Sequence, residues 1–265
     1  MSDTVIVDDK TPRVRVISLN RPERMNALDG LTLQALNTAI GEGCDPERDI
    51  RVIVIRGMGR AFCAGNDLKW LASGVLADVA AHMRHQDLMQ STFELMETSK
   101  PVTIAAVNGY AVAGGFELAL ACDIIVVDEE AELGDAHIRR NMLPSGGGSQ
   151  RLPRKLGLAR AMFYLLTGRR MKGREAERIG LASLAVPGDE LMSVALALAE
   201  EIARSDAAAL GSMKLTARRG MEMPLKEGLT FERWMQFRYR NESPSMIAAV
   251  HDFATRGKDG TAGPD

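Results

Sequence analysis

Apolar positions along the chain follow two rhythms. In the first part, short runs rich in β-branched residues, Val14–Leu19 (VRVISL) and Val52–Arg56 (VIVIR), predict strands. Between them, Leu31, Leu33, Leu36 and Ile40 recur near helical spacing from Asp29 to about Gly43, with Asp29 placed to cap the helix start. Two wholly apolar runs, Val102–Val107 and Ile124–Val127, predict buried strands with a turn and a helix between them. Strand and helix alternating at this rate imply βαβ-type units with mainly parallel strands. Past Pro187 the rhythm becomes helical throughout. Leu191–Ala203, Ala207–Arg219, Leu225–Arg240 and Ser245–Thr255 predict helices, separated by Gly188-Asp189, Gly220 and Ser243-Pro244. Their Met and Leu stripes read as packing surface.

The segment from Val102 to Val127 is apolar enough to suggest a membrane span. Inserting it would carry Glu117 and Asp123 into lipid, and the Asn108-Gly109 and Gly114-Gly115 pairs break it into turns. The N-terminus, MSDTVIVDDK, is acidic and lacks the order of a secretion signal. Three cysteines without metal-type spacing fit a reducing compartment, so the expected location is the cytoplasm. A net charge of −2 over 265 residues argues against a nucleic-acid surface built on bulk positive charge, although Arg169, Arg170, Lys172 and Arg174 form a local basic cluster. His82, His85 and His251 read as surface residues, and no HExxH-type spacing points to a metal.

Three stretches share a chemical logic. RAFCAGNDLKWL (Arg60–Leu71) follows a strand, AVAGGFELALACD (Ala111–Asp123) opens a helix at Gly114, and PSGGGSQ enters another. A small-residue loop opening a helix leaves main-chain N–H groups unpaired. Two such groups from separate loops can form an oxyanion hole, where losing one donor typically costs about 10²–10³ in rate. Glu117 lies one helical turn beyond Gly114, where a carboxylate can move a proton beside a carbonyl held in that hole. The same position also suits a first-turn acid favoured by the helix dipole, or half of a capping box.

Five segments in order carry a resemblance. NRPERMNAL (Asn20–Leu28), RAFCAGNDLK (Arg60–Lys69), KPVTIAAVNGYAVAGGFELALACDI (Lys100–Ile124), LPSGGGSQRLPR (Leu143–Arg154) and LTGRRMKGREAERIGL (Leu166–Leu181) resemble the enoyl-CoA hydratase/isomerase, or crotonase, superfamily. The resemblance implies an α/β fold: a crotonase-like spiral of ββα units over residues 1–187, a helical region over 188–257 used for trimerisation and the acyl pocket, and a flexible tail over 258–265. It implies an acyl-CoA thioester as substrate, a homotrimer or a hexamer built as a dimer of trimers, and no cofactor beyond the coenzyme A of the substrate. The hole would be the N–H groups of Asn66 and Gly114, with Glu117 as the first catalytic glutamate. Arg24, Ala27, Ala64, Asn66, Asp67, Leu68, Lys69, Gly114 and Ser145 would contact substrate, with Lys69 and Arg24 as phosphate contacts. The acyl tail would lie near Leu76–Met96, where Met83, Met89 and Met142 suggest an adaptable apolar lining.

The sequence departs from the family at two points. The second hydratase glutamate falls in a stretch that reads LGDAH here, which puts His137 in its place, and Ser145 replaces a glycine of the next motif. A histidine can serve as acid or base near neutral pH; spacing leaves open whether Asp135 orients it. The expected reaction is hydration or dehydration of a 2-enoyl-CoA, with Glu117 and His137 as partners. The alternatives are an enoyl-CoA isomerase, a thioester or carbon–carbon hydrolase, and a non-catalytic acyl-CoA or RNA binder.

Overall fold

The computed structural model describes residues 3–256. Strands β1 (Val5–Asp8) and β2 (Val14–Leu19) lead into helix α1 (Gly30–Gly43). Strands β3 (Val52–Gly57) and β4 (Ala61–Cys63) precede the short α2 (Leu68–Trp70) and the long α3 (Val79–Thr98). Next come β5 (Val102–Val107), β6 (Tyr110–Val112), α4 (Gly114–Ala121), β7 (Ile124–Asp128) and β8 (Glu132–Gly134). Helices α5 (Gly148–Leu156) and α6 (Leu158–Thr167), β9 (Met171–Lys172), α7 (Gly173–Arg178), β10 (Leu184–Val186) and α8 (Leu191–Ala203) complete the first unit. Helices α9 (Ala207–Gly220), α10 (Leu225–Glu242) and α11 (Ser245–Arg256) form the second, the division falling after Ala203.

The apolar strands build one six-stranded sheet in the order β1-β2-β3-β5-β7-β10, parallel except for β1 against β2. Its central strands are buried on both faces, as continuous Val/Ile runs require. Asp29 does cap α1, accepting from the Thr32 N–H at 2.8 Å. Helix α8 packs on β3, β5 and β7 and buries Ala195, Ala199 and Ala203. The contacts therefore group α8 with the sheet, whereas the sequence boundary at residue 187 grouped it with the helices that follow. In the second unit, Asp206 caps α9 through the Ala209 N–H at 2.9 Å and accepts from the Ser245 hydroxyl at 3.0 Å. The tail expected over 258–265 lies outside the described residues.

A second, four-stranded sheet runs β4-β6-β8-β9. Its three-residue strands are parallel from β4 to β8, and each delivers the chain into one of the loops that carry chemistry. The loops after β4, β6 and β8 therefore emerge side by side. This small sheet positions the site.

Candidate active site

The loop after β4 and the start of α4 meet closely. A Cβ built on Gly65 would lie 2.7 Å from the Gly114 nitrogen, and one on Gly114 would lie 3.5 Å from the Asn66 nitrogen. Among the described residues, neither the Asn66 nor the Gly114 N–H is donated to another protein atom. Gly115 makes the approach possible, because a Cβ there would collide with the Cys63 carbonyl oxygen. The Asn66 loop is braced from the other side. The Leu28 N–H donates to the Gly65 carbonyl at 2.8 Å, and the Asp67 N–H donates to that of Leu28 at 2.9 Å. Arg21 ties the brace together, donating to the Ala27 carbonyl at 2.6 Å and to Asp67 at 3.0 Å while pairing with Asp29 at 3.1 Å.

Glu117 is wholly buried on the first turn of α4. Its Oε1 accepts from the Gly148 N–H at 2.8 Å, at the mouth of α5 rather than at its own helix start. Its Oε2 has no hydrogen-bond partner among the described residues. The glycines of the PSGGGSQ turn make room for it: a Cβ on Gly146 would come within 2.8 Å of Oε2. Burial pushes the carboxyl above its ordinary pKa, against the opposing pull of the Gly148 N–H and of His137.

His137 opens the turn after β8 and is buried. Its Nδ1–H donates to Asp135 Oδ1 at 2.9 Å, and its main-chain N–H reaches the same oxygen at 3.3 Å. Asp135 is 1% exposed, and its Oδ2 has no partner among the described residues. Burial disfavours the imidazolium, but the hydrogen bond and charge of Asp135, with the charge of Glu117, outweigh it and raise the ring's pKa. Asp135 answers the question that spacing left open: its carboxylate fixes the ring so that Nε2 is the nitrogen left to act.

Two cavities meet along this line. The larger, about 520 Å³, is lined by Arg24, Ala27, Ala64, Asn66, Asp67, Leu68 and Lys69, all expected from sequence. It is also lined by Arg60, Tyr110, Arg140 and Arg170, which sequence reading missed. The smaller, about 320 Å³, takes in Ala64, Asn66, Leu68, His137 and Ser145. Glu117 and Gly114 line neither; they stand behind the wall. Asp67 spends its carboxylate within the loop, on the Lys69 and Trp70 N–H groups at 3.1 and 3.2 Å and on Arg21.

Several expectations need correction. His85 is buried, not on the surface: it continues the core face of α3 with Met89, Phe93 and Met96, a helical spacing that could have revealed it. His82 is half-buried and lines the smaller cavity. The Met-rich lining does not form, since Met83 is exposed, Met89 lies in the core and only Met142 reaches the cavity. The basic cluster is largely neutralised, with Arg170 paired to Glu132, Lys172 to Glu130 and Glu132, and Arg174 to Glu129. No group of three or more potential metal ligands occurs among the described residues. Nor is any described helix long and apolar enough to cross a membrane.

Comparison with known proteins gives a consistent result. The enoyl-CoA hydratase/isomerase family matches residues 9–259. A Mycobacterium bovis protein named a probable enoyl-CoA hydratase is 39% identical over 251 residues, covering 94% of this chain and 95% of its own. A probable enoyl-CoA hydratase of Rhizobium meliloti is 40% identical over 88% of both chains. The crystal structure of an enoyl-CoA hydratase from Bacillus anthracis superposes with a TM-score of 0.89 at 33% identity, covering 96% of each chain.

Proposed function

Because the chain belongs to the enoyl-CoA hydratase/isomerase family, we propose that it adds water to, or removes it from, the α,β bond of an acyl-CoA thioester. The observation that carries this reading is the pair of unspent N–H groups, on Asn66 and Gly114, beside the half-satisfied carboxylate of Glu117. A thioester oxygen held by both donors gains negative charge as an enolate forms, and main-chain dipoles fixed in a dry site stabilise it without reorganising.

In hydration, water loses a proton and its oxygen bonds to Cβ, the electrons of the double bond pass to the thioester oxygen, and Cα then takes a proton as they return. Glu117 and His137 share these two transfers. Asp135 is a positioning residue: by accepting from Nδ1 it leaves Nε2 as the ring's working atom. Active enzyme holds one proton across the Glu117–His137 pair, on whichever member the direction of reaction requires. Arg24, Lys69 and Arg60 of the larger cavity suit the phosphates of coenzyme A. The site needs no metal for this chemistry. The same reading implies a homotrimer or dimer of trimers, working in the cytoplasm where acyl-CoA is handled; light scattering on the purified chain tests the assembly.

Incubating the enzyme with trans-2-butenoyl-CoA and weighing the product tests the reaction. A gain of one water is expected. An unchanged mass with a moved double bond would mean isomerisation, and a free acid would mean thioester hydrolysis; either would overturn the hydratase reading.

A further inference from the structure

Most of the smaller cavity's lining is apolar, Leu68, Leu71, Leu76, Val112, Met142 and Leu143 among it, but Asn66, His82, Gln86 and Arg140 add hydrogen-bond donors. Asn66 lines it, and its Oδ1 accepts from His85 Nε2–H at 2.9 Å. That bond fixes the amide and leaves both of its N–H donors without a partner among the described residues, beside the main-chain N–H of the same residue. His85 is in turn held by Trp70, with ring centroids 4.7 Å apart. One turn earlier on α3, Gln86 donates from Nε2 to His82 Nε2 at 3.1 Å, so His82 carries its proton on Nδ1. Arg140 lines the same cavity and forms no ion pair among the described residues, whereas Arg170 is spent on Glu132. No aspartate or glutamate among the described residues lines this cavity.

We infer that the acyl group accepted here carries a hydrogen-bond-accepting oxygen, a carboxylate foremost, on the part of the chain beyond the reacting bond. The inference rests on the reading that an acyl-CoA thioester occupies the site. An unsubstituted alkyl chain would strip water from the His82 N–H and the Arg140 guanidinium without replacing it, and unpaired donors are costly. A site furnished with such donors discriminates strongly against analogues lacking the oxygen, far more than an apolar pocket discriminates between chain lengths.

Calorimetry with saturated, unreactive acyl-CoAs of matched length, ending in methyl, hydroxyl or carboxylate, tests this without turnover. The carboxylate ligand is expected to bind at least about tenfold more tightly than the methyl one, with the hydroxyl between them. Arg140→Gln should erase the advantage of carboxylate over hydroxyl, and Gln86→Leu, or His82→Leu if the first fails to fold, should narrow the gap between hydroxyl and methyl. Equal binding of all three, or tightest binding of the methyl ligand, would overturn the inference. Binding of none would overturn it together with the reading of the site. The expected order without hydration of the 2-enoyl-CoA that ends in the favoured carboxylate would support it and overturn the proposed reaction alone.

Discussion

Glu117 and His137 meet at one site from opposite kinds of support. Glu117 stands on a helix, wholly buried, and its carboxylate is held by a main-chain N–H of another helix mouth. His137 stands in a tight turn after a three-residue strand and is held by the carboxylate of Asp135. A main-chain donor holds a group in place and favours its anion by a fixed amount, set by the fold. A neighbouring carboxylate also orients its partner, but it does so through charge, so a single side-chain change can reset the ring's proton affinity. Glu117 is therefore rigid in its chemistry, and His137 is adjustable.

Substitutions separate the two groups, the largest effect falling on the rigid one. Glu117→Gln keeps the shape and the Gly148 contact but removes the titrating group. Turnover should fall by about 10²–10⁴ with little change in acyl-CoA affinity, as single-turnover rates and calorimetry would reveal. His137→Ala should cost about 10² in kcat, at the low end of what a single acid–base group supplies. Asp135→Asn should cost less, about tenfold, because the ring remains and only its orientation and charge partner are lost. If kcat survives the loss of Asp135 but KM rises, the aspartate shapes binding and the proposed division of labour is broken. Lys69→Ala should be mildest, raising KM for the CoA substrate about twofold to fivefold, with the difference shrinking as salt is added.

How much of this was legible depended on the range over which each feature is encoded. The long elements were read nearly to the residue: Leu191–Ala203 is a helix to both ends, and Val14–Leu19 and Val102–Val107 are strands over their full spans. Those runs hold enough periods for apolar spacing to decide them. The small sheet was not read, since Ala61–Cys63, Tyr110–Val112 and Glu132–Gly134 are too short to show alternation. Glu117 and Gly114 were legible because a helix start fixes their separation locally. Arg60, Arg140 and Arg170 were not, because only the pairing of short strands distant in sequence brings their flanking turns to the wall that Arg24 and Lys69 also line. The partner of His137 was visible two residues away as Asp135. What settled the pairing was the left-handed turn at Ala136, which folds the aspartate back onto the ring.

The pH dependence of kcat/KM for hydration of trans-2-butenoyl-CoA, compared between the parent chain and Asp135→Asn, tests the central claim most directly. With one proton shared across the pair, activity rises as the doubly protonated Glu117–His137 pair loses one proton to solvent and falls as the pair loses its last. Asp135 raises the ring's pKa, so its loss should move the alkaline limb to lower pH and leave the acid limb nearly in place. Superposable profiles, differing only in height, would contradict a catalytic His137 governed by Asp135 and leave the histidine as part of the wall.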